Sequence, residues 1–199
     1  MNTQSFVVDA SLLQELGERL IGRPAIALGE LVKNSFDADA TVCRIEFGDD
    51  QIVVADNGTG MSEGDFLTHW MRIATTHKVD DRVSTRFKRP LTGSKGIGRL
   101  SAQFLADALT LESTSTGVAP EGIYAEVDWS TAVRGNELST VKVSWERRVN
   151  TAPYPNHSRF GTRITLRRLK NEWDVDAFQD LGTDVWMLRS PFKAPARAR

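Results

Sequence analysis

Cysteine, long apolar runs and net charge are what this sequence has least of. Cys43 is the single cysteine among 199 residues, so no disulfide can close within the chain. A lone thiol in an alternating strand pattern is expected to pack in the core, in keeping with a reducing compartment. No run of about 18 apolar residues occurs, and the N-terminus lacks the basic, apolar and small-residue order of a signal peptide. The expectation is a protein that is neither exported nor inserted in a membrane, with the cytoplasm as its compartment. The 25 Lys and Arg nearly cancel the 26 Asp and Glu, for a formal charge of −1. Charge over the whole chain therefore makes no case for nucleic acid, and any basic patch must be local. No internal repeat is found. What is present is ordinary for a soluble globular chain, 40% hydrophobic and 26% charged, long enough for one sizeable domain with a real core.

The stretch from Ala27 to Ala40, ALGELVKNSFDADA, reads as a helix after the break at Gly22, Arg23 and Pro24, running to about Asp39. At about 100° per residue, Leu28, Leu31, Val32 and Ser35 share one side. Glu30, Asn34 and Asp37 fall in a narrow stripe opposite. A carboxylate and a carboxamide one turn apart suit an attacking water and a hydrated divalent cation, the amide oxygen as ligand and the carboxylate as base. A surface helix with a solvated polar face fits the same residues, and from this stretch both readings stay open.

The rest of the chain supplies strands and turns. Gln4 to Asp9 reads as a short edge strand and Ser11 to Leu20 as an amphipathic helix. Val42 to Phe47 alternates, with Cys43, Ile45 and Phe47 on one side, and Gly48-Asp49-Asp50 turns it into Gln51 to Ala55 as a β-hairpin. Ser62 and Asp65 form a capping-box pattern opening a helix to about Ile73, with Phe66, Leu67, Trp70 and Met71 as its buried side. From His77 to Arg99 the pattern dissolves into a long cationic loop, which in a compact domain is functional or disordered. Arg99 to Ala108 returns to helix. Leu109–Ser113, Ile123–Trp129, Thr140–Val149 and Thr162–Leu169 read as strands, and Trp173–Leu188 as a last helix. The overall expectation is an α+β fold.

Three short motifs carry the chemistry. In DNGTGM, Asp56 to Met61, a strand end delivers a carboxylate able to accept from an exocyclic amine such as that of adenine, with Gly58 and Gly60 leaving room for a flat ring. A plain turn after a strand is the competing reading. GSKGIG, Gly93 to Gly98, stands before a helix and offers backbone N–H groups to an anion. It is no Walker A loop, because Arg99-Leu100 replaces Lys-Ser/Thr, and no dinucleotide fingerprint, because Ser101 stands where the third glycine belongs.

In order and kind these motifs resemble those of the ATPases grouped as gyrase B, heat-shock-90-type chaperone, histidine kinase and MutL (GHKL), which share the Bergerat fold. Glu30-x-x-x-Asn34-x-x-Asp37-Ala38 is similar to the first family motif, Asp56-x-Gly58-x-Gly60 to the second, Gly93-x-x-Gly96-Ile97-Gly98 to the third and Gly161-Thr162 to the fourth. The fold implied is a two-layer α/β sandwich, a mixed and largely antiparallel sheet covered on one face by helices. The resemblance implies ATP and Mg²⁺ as ligands. Glu30 would activate water, Asn34 would hold the metal, and Asp56, with Gly58, Gly60, Met61 and Thr162, would take the adenine end. Lys95, Gly96, Ile97 and Gly98 would meet the phosphates. Asp37 would reach the ring side or the metal's water shell, and Lys78 resembles the lysine of a MutL-like Thr-Ser-Lys turn or is a solvated loop cation.

Glu30 points to the heat-shock-90-like or MutL-like branch and away from histidine kinases, which commonly carry Asn or His there. None of His69, His77 and His157 lies in a phosphoacceptor-like helix. A nucleotide-gated binding module without turnover stays open. Gyrase- and MutL-like relatives complete the γ-phosphate site with a lysine from a following domain. The expectation is therefore an ATP-binding domain over residues 1–189 and a linker over 190–199 leading to a further domain. Hydrolysis would be weak in isolation, and the full-length protein would form an ATP-dependent homodimer. The Arg-rich loop leaves nucleic acid possible without showing it.

Overall fold

Pro24 has no N–H to leave unpaired and a φ already suited to a first helical turn, and it opens helix α1 (Pro24–Asp37). The computed structural model describes residues 22–71, 83–92, 98–117, 121–130, 143–148 and 153–187, with the backbone alone at 98–100 and 187. After α1 come strands β1 (Cys43–Phe47) and β2 (Gln51–Asp56), then helix α2 (Glu63–Asp65), which continues as a π-helical turn over Phe66–Trp70. Next are α3 (Gly98–Leu105), β3 (Ala106–Thr114), β4 (Gly122–Asp128), β5 (Val143–Arg147), a 3₁₀ turn at Pro155–His157, β6 (Gly161–Leu169) and α4 (Val175–Met187). The strand and helix expected at Gln4–Asp9 and Ser11–Leu20, and the tail over 190–199, lie outside the described residues.

The six strands run in the order β1-β2-β6-β3-β4-β5, and every pairing among them is antiparallel. Period-two alternation gives the sheet two unlike faces. Ile52, Val54, Leu109, Leu111, Ile123, Ala125 and Leu166 bury one face against Ala27, Leu28 and Leu31 of α1. The other face is polar, with Arg163 and Glu112 paired across strands at 3.5 Å. Helices α3 and α4 both pack against α1, completing one helical layer on one sheet. This is the expected α+β sandwich. No described helix is long and apolar enough to cross a membrane.

Three local expectations change. The helix expected to reach Ala108 stops at Leu105, because Lys170 and Asn171 donate to the carbonyl oxygens of Gln103, Phe104 and Leu105. Ala106 is thereby freed to pair with Leu169. The capping box of Ser62 and Asp65 is present, but the helix then widens into the π turn, with the Met71 N–H reaching back to the Phe66 carbonyl at 2.9 Å. The extra residue per turn rotates the buried side. Phe66 is fully buried and stacks on Trp70, whereas Leu67 and Met71, expected in the core, are exposed. Cys43 is half-buried beside the core, as expected of a packing residue, and burial pushes its thiol up to about 11.

Candidate functional site

The antiparallel register brings the second and fourth motifs together. Asp56 ends β2 directly opposite Thr162 of β6, and Thr162 stands opposite Ser113 of β3. Directly opposed residues share a face, so a carboxylate and two hydroxyls form one row beneath α1. Asp56 is only 5% exposed. The Ser35 hydroxyl of α1 donates to its Oδ2 at 2.8 Å, and the Gly58 N–H donates to its Oδ1 at 2.8 Å. Burial pushes the Asp56 carboxyl above its ordinary value, outweighing the Gly58, Ser35 and Thr162 hydrogen bonds that pull it down.

The loop after Asp56 is held rigidly. The side-chain oxygen of Asn57 accepts from the Thr41 and Val42 N–H groups, both at 2.9 Å, and the Thr59 N–H donates to the Ala38 carbonyl at 2.8 Å. Gly58 and Gly60 are both places of close backbone approach. A Cβ at Gly58 would come within 2.6 Å of the Ala38 carbonyl oxygen, and one at Gly60, where φ is +64°, would run into the Thr114 carbonyl. The space their side chains lack is filled by the protein's own backbone, so the glycines let the loop lie against α1 and β3. Met61 packs beside the core, and its N–H donates to Ser113 Oγ at 2.9 Å.

Ser113 and Ser35 were not read as site residues from the sequence. Ser113 Oγ donates to the Gly161 carbonyl at 3.1 Å and lies 3.0 Å from Thr162 Oγ1. With its one proton on Gly161, Ser113 accepts from Thr162, which leaves the Thr162 oxygen as an acceptor. Ser113 thus ties the DNGTGM loop to Gly161-Thr162. The available signal for Ser35 was a hydroxyl on the apolar side of a helix, since a buried hydroxyl needs a partner.

On α1 the stripe of the first motif is as expected. Leu28, Leu31, Val32 and Ser35 are buried, while Glu30 and Asp37 are half-buried and Asn34 is exposed. Glu30 Oε1 accepts from Lys33 Nζ at 2.7 Å. Asp37 Oδ1 accepts from the backbone N–H of Thr92 at 2.9 Å and from its hydroxyl at 3.0 Å. Gly98 opens α3. Lys78, Lys95, Gly96 and Ile97 lie outside the described residues. Among the described residues no group of three or more His, Cys, Asp or Glu is placed to hold a metal ion.

An antiparallel sheet under one helical layer, with the acidic strand end and the Glu/Asn helix meeting between them, is an α+β domain of the Bergerat type. The family model described as "Histidine kinase-, DNA gyrase B-, and HSP90-like ATPase" matches residues 23–150, and the chain belongs to this family. ATP binding and hydrolysis are the family's general activity. Among curated proteins, the chain is similar to the "Putative type II restriction enzyme HgiDII" of Herpetosiphon aurantiacus. The two are 32% identical over 156 residues, covering 78% of this chain and 24% of that protein. It is also similar to the DNA mismatch repair protein MutL of Halobacterium salinarum, 38% identical over 104 residues, 51% of this chain and 14% of the relative. MutL of Lacticaseibacillus paracasei is 29% identical over 156 residues, 77% of this chain and 22% of the relative. The chain thus spans about a quarter or less of the length of these relatives. The similarity to MutL is consistent with the MutL-like branch.

Proposed function

We propose that this domain binds ATP with Mg²⁺ and hydrolyses it slowly. The observation that supports this most is Asp56. Burying a carboxylate is costly unless it is hydrogen-bonded, and burial here outweighs the donors that Asp56 has. An ionised carboxylate accepts about four hydrogen bonds, so a further donor, the adenine amino group, is well received. Thr162, with its proton directed to Ser113, offers a second acceptor beside it.

Asn34 and Glu30 stand one turn apart on the half-exposed stripe of α1, and the Asn34 amide oxygen serves as the protein ligand of the metal. Mg²⁺ would need no protein cage there, since such ions are bound by one or two protein groups together with substrate phosphates, and when bound it would supply charge neutralisation at the phosphates. Glu30 orients the water and takes its proton. Lys95, Gly96, Ile97 and Gly98 receive the phosphates, and Lys78 is proposed as a further nucleotide-binding cation. Residues 1–189 form the ATP-binding domain and 190–199 lead to a further domain, in a longer cytoplasmic protein that dimerises around ATP. The MutL relatives are named for DNA mismatch repair, and work beside DNA is the corresponding proposal for that longer protein.

The Glu30–Lys33 pair favours a second reading. A carboxylate already held by an ammonium at 2.7 Å suits a nucleotide-gated module with negligible turnover. Calorimetric titration of a non-hydrolysable ATP analogue, with and without Mg²⁺, followed by steady-state phosphate release, separates the two. Mg²⁺-dependent binding with slow release supports the ATPase, and binding with no release above buffer supports the module. Absence of binding removes both.

A further inference from the structure

Asp39 has no part in the reading above, yet it is among the most buried charged residues described, at 2% exposure. It follows α1 with a left-handed φ of 60°, a conformation that Asp tolerates better than most residues. Its carboxylate collects three donors from one segment. Ser84 Oγ donates to Oδ1 at 2.5 Å, the Arg86 N–H to Oδ2 at 2.7 Å and the Phe87 N–H to Oδ1 at 3.2 Å. Burial pushes Asp39 up, but Ser84, the two backbone N–H groups and the Arg89 guanidinium together hold it below its ordinary value. It is therefore a charged anchor.

The same segment grips back. Arg89 Nη1 donates to the Ala40 carbonyl at 2.7 Å and the Phe36 carbonyl at 3.2 Å. These lie at the negative end of α1, where a cation is favoured. The guanidinium also covers the Phe36 and Phe87 rings at 4.7 and 4.8 Å. Ser84 and Arg89 close the segment on itself, through Ser84 N–H to the Arg89 carbonyl at 2.8 Å and Arg89 N–H to Ser84 Oγ at 2.9 Å. Three residues beyond Arg89, Thr92 is held by Asp37, and Gly93, the first glycine of GSKGIG, is the next residue in the chain.

We propose that Asp39, with Arg89, is a positioning residue for the phosphate end of the nucleotide site. It clamps residues 84–92 to the end of α1 and so holds Thr92, the last residue before the glycine-rich motif, at Asp37. The proposal rests on the ATP-binding reading of this same site. The adenine end is built on β2, β3 and β6, and it holds the chain around Asp39 through the Ala38 carbonyl and the Thr41 and Val42 N–H groups, none of which the clamp uses. Loss of the clamp therefore weakens recognition of the phosphates and spares that of the base.

The test uses the full chain and two ligands. One is a non-hydrolysable ATP analogue with Mg²⁺, followed by calorimetry; the other is adenosine, followed by saturation-transfer NMR at millimolar concentration. In Asp39→Asn an amide NH₂ faces donors, and the charge that drew them is gone. The expected result is a loss of about tenfold or more for the analogue, with adenosine unchanged within about twofold. Unchanged analogue affinity in the folded variant overturns the proposal. Equal loss of both ligands also overturns it, because a merely structural role weakens both ends alike. Should Asp39→Asn not fold, Arg89→Lys, which keeps the charge but loses the paired carbonyl contacts and the stacking, is judged by the same two affinities. A wild type that binds neither ligand removes the nucleotide reading itself, a result distinct from failure of the clamp.

Discussion

Asp56→Asn removes one charge from a site that solvent scarcely reaches, and it should move folding and binding in opposite directions. The native carboxyl is raised above its ordinary value of 3.8, chiefly by burial. The folded state therefore holds its proton more tightly than the unfolded chain does. Stability falls as pH rises from about 3.8 through the raised native value, and above that window the full cost of the buried charge is present. Asparagine keeps an oxygen for the Gly58 N–H and turns an amide towards Ser35, whose hydroxyl can accept, and it carries no charge. The variant should match or exceed the wild type in urea midpoint at pH 7, and its advantage should shrink below pH 3.8, where both side chains are neutral. Hydrogen bonds to a charged group contribute about 1.5–3 kcal/mol, so removing the carboxylate should weaken binding of an ATP analogue by roughly 10- to 150-fold. Urea unfolding at two pH values and calorimetry at pH 7 read both effects. The reasoning is refuted by a variant that binds the analogue as the wild type does, or by one that is less stable at pH 7 by an amount that pH does not change.

Other substitutions test neighbouring parts of the argument. Glu30→Gln should keep analogue affinity within a few-fold while phosphate release falls by about 10² to 10⁴, the usual share of a general base; unchanged release would remove Glu30 from the chemistry. Gly60→Ala adds a Cβ against the Thr114 carbonyl at a φ of +64° and should cost about 3 kcal/mol or more in urea unfolding. Gly182→Ala, inside α4 with nothing within 4 Å of the added Cβ, should instead stabilise by about 0.5–1 kcal/mol. If both glycine variants shift stability equally, close approach is not what Gly60 provides.

The amphipathic stripe of α1, the β1–β2 hairpin and the capping box of Ser62 and Asp65 were legible because each depends on neighbours within a few residues. The strands of the second half were legible to within a few residues by their β-branched alternation. The π turn was not, because Phe66 and Trp70 are also spaced as an α-helix would space them, and what distinguishes the two is the Met71 N–H reaching back five residues to the Phe66 carbonyl. Nor was the end of α3, which is decided by Lys170 and Asn171, more than sixty residues further along the chain.

The sequence by itself determined the family, through motif order, and the residue types at the site: Glu30 and Asn34 one turn apart, and an aspartate at a strand end followed by two glycines. Those features follow from covalent order and helical or strand period. Only the tertiary structure decided which groups meet. Antiparallel register put Asp56, Thr162 and Ser113 in one row, and packing of α1 on β2 gave Asp56 its Ser35 donor. The fold also brought Ser84, Arg86 and Phe87 onto the Asp39 carboxylate from 45 to 48 positions along the chain, contacts without any period in the sequence to announce them.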